Sequence, residues 1–260
     1  MNNVNKTLYI PLYGKALVSR KGIILSDKTA EKIWDSVNFP LKGKSKSKWL
    51  SFFMGMRACV FDKWVKEKIT NLNDCVVLHL GCGLDSRHHR LEANACLWYD
   101  VDFPSVIEER KKYYEETEAY KMLASDVTDS SWLDKIPSAK NAVVVMEGIA
   151  MYLDVNALNK LFSALSNRFD NVCVLVDCYT VFGAKMTKIK NPVNDVGVKD
   201  VYGLDAPQLL ETQKLKFKQE HELTPDYLIN ELQGFEKKLF KSLYAGKLSK
   251  KLYKLYEYET

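Results

Sequence analysis

Val76-Val77-Leu78-His79-Leu80-Gly81-Cys82-Gly83 is the stretch on which the reading of the fold turns. An almost continuous apolar run, closed at once by two glycines, is the pattern of a strand covered on both faces that ends in a tight turn. Outward from it the pattern repeats. Cys96-Leu97-Trp98-Tyr99-Asp100-Val101-Asp102 is a second strand, stopped by Pro104. Lys121 to Ala124 is a weaker third, Ala142 to Met146 a fourth ending at Glu147-Gly148, and Val172 to Val176 a fifth ending at Asp177. Ser105 to Glu118 and Asp154 to Phe169 between them read as helices; in the latter Val155, Leu158, Leu161, Phe162 and Leu165 recur at helical spacing. Strand–helix alternation implies right-handed crossovers, so residues 72–179 predict a doubly wound, parallel α/β sheet.

The chain has 260 residues, 47% apolar and 27% charged, which excludes a disordered or low-complexity chain. Residues 1–71 predict a helical cover, with helices over Thr29–Val37 and Trp49–Thr70. Residues 72–260 then form the sheet domain. Within it, residues 180–220 carry breakers (Asn191-Pro192, Tyr202-Gly203, Ala206-Pro207) and read as a lid insertion. The tail predicts a helix over Asp226–Leu232 and closing strands around Lys238–Tyr244. The net charge is +5, and the excess is local, in Lys42, Lys44, Lys46 and Lys48 and in the lysines from Lys237 to Lys254. Both runs read as solvated faces. They are not interleaved with aromatics on one obvious stripe, which disfavours a nucleic-acid partner. The six cysteines form no C-x-x-C pair, so no metal site is expected and the thiols read as reduced. No run reaches membrane-spanning length, and Met1–Leu12 has no signal-peptide core. The expected location is cytoplasmic, without a membrane partner.

In open parallel sheets ligands bind beyond the carboxyl ends of the strands. Gly81 and Gly83 end the first strand, and Asp102 ends the second at an offset that suits a carboxylate on ribose hydroxyls. Asp100 shares its face and is not separable from it by pattern alone. A dinucleotide fingerprint needs glycine at position 86, where the chain has Ser86. A pyrophosphate cradle is therefore disfavoured, and an adenosine cofactor without phosphates, such as S-adenosylmethionine, fits better. Asp126 closes the third strand, where it could accept from an adenine amino group with the Val127 amide beside the ring; equally, it could cap the following turn. Glu147 on an apolar strand end needs a partner, either a cofactor ammonium or a structural cation.

These residues resemble a family. Leu80-Gly81-Cys82-Gly83-Leu84-Asp85-Ser86-Arg87, Arg90-Leu91, Tyr99-Asp100-Val101-Asp102-Phe103-Pro104, Ser125-Asp126-Val127 and Glu147-Gly148-Ile149-Ala150-Met151-Tyr152-Leu153 are similar, in order and spacing, to the motifs of the leucine carboxyl methyltransferases. That family includes bacterial polyketide O-methyltransferases. The resemblance spans roughly residues 10 to 180. It implies a Rossmann-like, class I S-adenosylmethionine-dependent methyltransferase fold. It also implies cofactor contacts from Gly81, Gly83, Asp102, Asp126 and Glu147, and from Arg57, in Met54-Gly55-Met56-Arg57, for the methionine carboxylate. Lys15, in Tyr13-Gly14-Lys15-Ala16, is a further candidate, its alternative being an exposed lysine.

The expected activity is methyl transfer to a carboxylate or hydroxyl of a small molecule, in line and without metal. A protein carboxyl methyltransferase and a non-catalytic cofactor-binding module are the alternatives. No base is assigned: among the histidines His79 reads as core, while His88 and His89 lie nearer the turn. Tyr152, Tyr179, Phe182 and Tyr202 are candidate walls of an acceptor pocket.

Overall fold

The protein is described from a computed structural model covering residues 5–93, 96–187 and 201–260. Asn191-Pro192 and the rest of the middle of the 180–220 stretch lie outside those residues. Three helices come first: α1 (Tyr9–Arg20), α2 (Lys28–Ser36) and α3 (Lys48–Asn71). The Asp27 carboxylate starts α2 by accepting from the Ala30 N–H at 2.8 Å. There follow β1 (Cys75–Leu80), α4 (Arg87–Leu91), β2 (Leu97–Asp102), α5 (Pro104–Arg110), β3 (Tyr120–Ala124), β4 (Asn141–Met146), α6 (Val155–Arg168) and β5 (Asn171–Tyr179). The last third holds α7 (Val181–Thr187), β6 (Lys216–His221), α8 (Asp226–Ile229), α9 (Gly234–Tyr244), α10 (Lys247–Lys250) and β7 (Tyr253–Glu259).

The seven strands form one sheet in the order β3-β2-β1-β4-β5-β7-β6. β1 to β5 are parallel, and β7 runs antiparallel to both of its neighbours. The order reverses between β1 and β4, which opens a crevice above their carboxyl ends. Side chains alternate across the sheet. Val143 and Val145 face the layer of α1, α3 and α9; Ala142, Val144 and Met146 face α6 and Trp132. Both faces are covered, and that is why these strands read as unbroken apolar runs.

The structure departs from the sequence reading in four places. The helix expected to reach Glu118 ends at Arg110, whose guanidinium turns inward to donate to the Gly83 carbonyl at 3.0 Å and to the Asp100 carboxylate. β5 continues past Asp177 to Tyr179, because β7 pairs along its full length. The helix expected over Asp226–Leu232 is the shorter α8. Lys238–Tyr244 is helical, not extended: Phe240 and Tyr244, one turn apart, stack at 5.2 Å on the inner face of α9. The closing strands are instead Lys216–His221, at the far end of the 180–220 stretch, and Tyr253–Glu259.

His88 does not approach the crevice. It is buried, stacked on Tyr120 at 4.4 Å and edge-on to Trp98, and neither ring nitrogen has a hydrogen-bond partner among the described residues. Burial pushes its pKa down to about 4 from 6.5. The unfolded chain thus takes up a proton below the ordinary value while the fold resists until about pH 4, so stability is lost as the pH falls through that window. His88→Phe keeps the stacked ring and removes two unsatisfied polar atoms. It is expected to raise stability by about 1–2 kcal/mol at neutral pH, and to flatten that acid limb in urea titrations.

Candidate active site

A cavity of about 1030 Å³ opens above the crevice. The turn after β1 forms one wall. Gly81 and Gly83 take φ of +65° and +53°, and a Cβ on Gly81 would lie 2.0 Å from Ile149 Cγ2. Glycine at 81 is therefore demanded by the loop after β4 as well as by the turn itself.

Asp102 and Asp100 are now separable. Asp100 is fully buried, accepts from Tyr120 Oη at 2.6 Å and Trp98 Nε1 at 2.8 Å, and pairs with Arg110. Asp102 accepts from the backbone N–H groups of Gly83 and Phe103, each at 2.8 Å, and lines the cavity. Burial, with Asp100 close by, pushes its carboxyl up to about 6. His79 lies 3.1 Å from Asp100 through Nδ1, and Arg87 donates to its Nε2 at 3.1 Å. That arrangement holds a neutral imidazole with both nitrogens engaged, a core role.

The residues that the resemblance implied for the methionine end come together as a buried ion cluster. Arg57 on α3 donates through Nε to Glu147 at 3.1 Å and through Nη1 to Asp177 at 2.9 Å. Glu147 also pairs with Arg87, and Lys15 Nζ lies 3.9 Å from it. These cations hold the Glu147 carboxyl down at about 2. Lys15 is buried, not exposed, and its ammonium donates to Asp85 at 2.6 Å. Asp177 accepts from the Gly148 N–H at 2.6 Å and from Tyr253 Oη at 2.9 Å. Asp85, Arg87, Asp177 and Tyr253 were not singled out by sequence reasoning. Asp85 and Arg87 stand inside a quoted motif, and Asp177 stands at a quoted strand end. Tyr253 carried no signal.

Asp126 and Val127 line the far end of the cavity. Asp126 Oδ1 closes its own turn, accepting from the Thr128 N–H at 2.9 Å and Oγ1 at 2.8 Å. Tyr152 and Tyr179 line the opposite end together with Phe53, Tyr244 and Tyr253. Phe182 and Tyr202, expected in that wall, are absent from it: each is half exposed on the outer surface.

Sheet order and site position define the fold class of the S-adenosylmethionine-dependent methyltransferases. Two solved structures share it: a putative methyltransferase from Thermobifida fusca (TM-score 0.58, 10% identity, 94% of this chain and 93% of that one) and magnesium protoporphyrin IX methyltransferase from Synechocystis (TM-score 0.52, 10% identity, 89% and 94%). The sequence signature described as leucine carboxyl methyltransferase matches residues 4–166, and the chain belongs to that family. It is an S-adenosylmethionine-dependent methyltransferase. It is 28% identical over 241 residues (91% of this chain, 89% of the relative) to the tetracenomycin polyketide synthesis O-methyltransferase TcmP of Streptomyces glaucescens. It is 26% identical over 204 residues (71% and 67%) to an S-adenosyl-L-methionine-dependent methyltransferase of Gibberella zeae.

Removing Arg57 leaves the Glu147 and Asp177 carboxylates buried without their shared cation. Arg57→Met is expected to cost about 3–5 kcal/mol in urea unfolding, and adding Asp177→Asn to recover part of that loss.

Proposed function

We propose that the enzyme methylates an oxygen, carboxylate or hydroxyl, of a small molecule. The observation that carries this reading is the continuity of the site: the charged end under Arg57 and the aromatic end around Tyr152, Tyr179 and Tyr244 belong to one cavity, partly open to solvent. A concave, mostly apolar cavity of this kind suits a small acceptor. The name of the Streptomyces relative, a polyketide O-methyltransferase, supports the same class. In this reading residues 1–71 are the cover, residues 72–260 the catalytic domain, and part of the 180–220 stretch a lid. A cytoplasmic setting goes with it; among the described residues no helix is long and apolar enough to cross a membrane.

The donor set fits the cofactor. Asp102 spends one lone pair of each oxygen on a backbone N–H. The remaining pairs suit two ribose hydroxyls. Val127 offers an apolar contact, with Asp126 Oδ2 free of the turn bonds made by Oδ1. Arg57 and Lys15 supply positive charge for a carboxylate. Glu147 has four lone-pair sites, of which the Arg57 and Arg87 hydrogen bonds take two, and so can also accept from an ammonium. When bound, the cofactor supplies an activated methyl on a sulfonium. The chain's own work is to orient the acceptor oxygen and exclude water. A carboxylate acceptor is already ionised at neutral pH and requires no base.

Two measurements test this. Asp102 in its ionised form is the better acceptor, so affinity for S-adenosylmethionine by calorimetry is expected to weaken as the pH falls through about 6. The loss should approach about tenfold per pH unit below that value. Asp102→Asn should bind at least about tenfold more weakly and show no such pH dependence; an unchanged profile would remove Asp102 from the ribose. Arg57→Lys keeps the charge but loses the fork, and should weaken binding while the fold persists. For the acceptor, methyl-labelled cofactor incubated with cell extract is expected to label the low-molecular-weight fraction. Label in a protein band that is released by mild base would instead identify a protein carboxyl methyltransferase.

A further inference from the structure

The two lysine runs lie far apart in sequence, yet the fold joins them. Lys48, at the start of α3, pairs with Glu236, at the start of α9, at 2.7 Å. Lys241, Lys250 and Lys254 are likewise matched, by Asp226, Glu222 and Glu220. Lys42, Lys46, Lys237, Lys238, Lys247 and Lys251 have no carboxylate of the described residues within ion-pair distance. That is six unmatched cations on two joined runs, in a chain whose whole net charge is +5.

The same region carries exposed apolar side chains. Ten large ones stand out among the described residues, and five of them lie on α7, α9 and α10: Phe182, Met186, Phe235, Leu243 and Leu248. Phe235 is 74% exposed and Leu248 65%, far beyond what packing would leave open. Phe235 lies on the side of α9 away from Phe240 and Tyr244, and Leu243 lies between the two sides, at the cavity edge. α7 belongs to the same rim, since Thr180 at its start donates to the Lys251 carbonyl at 2.8 Å. The cavity is lined on this side by Ser47, Leu50, Met186, Leu243 and Lys250.

We propose that this rim docks the enzyme on an anionic lipid surface, with Phe235, Leu248 and Phe182 entering the headgroup region and the unmatched lysines facing the lipid charge. Lysines interleaved with exposed Phe and Leu on short helices, and no spanning segment among the described residues, are the chemistry of a protein that lies on a bilayer and does not cross it. The charge complements an acidic surface, and the apolar tips suit a bilayer better than solvent. The cavity then borders the lipid, which is where a poorly soluble acceptor would reside. Neither lysine run pointed to a membrane in the sequence, because the pairing of Lys48 with Glu236 is visible only in the fold.

The test uses the full chain and flotation with vesicles of equimolar phosphatidylglycerol and phosphatidylcholine, beside vesicles of phosphatidylcholine alone. Binding is expected to the anionic vesicles only and to weaken with added salt. Lys238→Glu/Lys247→Glu/Lys251→Glu should lower partitioning more than about tenfold, and Phe235→Ser/Leu248→Ser should do so at unchanged charge. Both variants should still bind S-adenosylmethionine, which separates loss of docking from loss of the fold; the acceptor assignment is read by the methyl label and stands or falls apart from flotation. No flotation at low salt, or flotation untouched by the charge reversal, would overturn the proposal. Salt-sensitive association with soluble polyglutamate but not with anionic vesicles would also overturn it, in favour of an acidic protein.

Discussion

Arg57 bridging Glu147 and Asp177 is the constraint on which the rest of the molecule hangs. Its partners stand at the end of β4 and near the end of β5, and Tyr253 closes the group from the start of β7. α3 can lie across the sheet in one position only if all three are to be satisfied. A shift of one helical turn would leave Asp177 without its cation and Glu147 with two of its three, a costly loss for groups this buried. Lys15 fixes α1 in the same way, through Asp85 and Glu147. The helical wall of the cavity is thus placed by charge, and the apolar layers fill in around it.

Stability alone does not account for such a cluster. Buried ion pairs are often no better than well-packed apolar residues of the same volume. Here Arg57, Arg87, Lys15, Asp85, Glu147 and Asp177 are all nearly inaccessible, so their desolvation cost is close to full. What the cluster does provide is a set of oriented charges facing a cavity, and these need not reorganise when a charged ligand enters.

The parallel core of the fold was legible because a strand buried on both faces leaves an unmistakable apolar run, and its acids mark where the run ends. Asp102 and Glu147, which line the cavity, stand at strand ends legible that way, and Arg57, which also lines it, is marked by the resemblance alone. The misses share a different cause. Asp85 and Arg87 are separated from Lys15, Asp62 and Glu147 by long stretches of chain, and no local pattern encodes a contact of that range. β6 is a largely exposed edge strand of mostly polar residues, so it has no apolar signature. β7 alternates tyrosines with Glu257 and Glu259, and Glu257 tolerates burial only because Lys68 and His221 reach it from elsewhere. Aromatic residues near the site could not be sorted into wall and surface: Tyr152 and Tyr202 look alike in sequence, and only the fold turns one inward.

The division of labour within the cavity follows from where the charges are already paired. At the Arg57 end every acid and base has a protein counter-ion, so the local net charge is small although the density of charge is high. Such a surface favours a ligand that is itself zwitterionic, since either sign of ligand charge meets a partner without leaving another group bare. At the tyrosine end the lining mixes Phe53, Tyr152 and Tyr179 with Glu220, Glu222 and Lys250. In the proposed reading an acceptor there is selected by shape and by which of these charges it can pair.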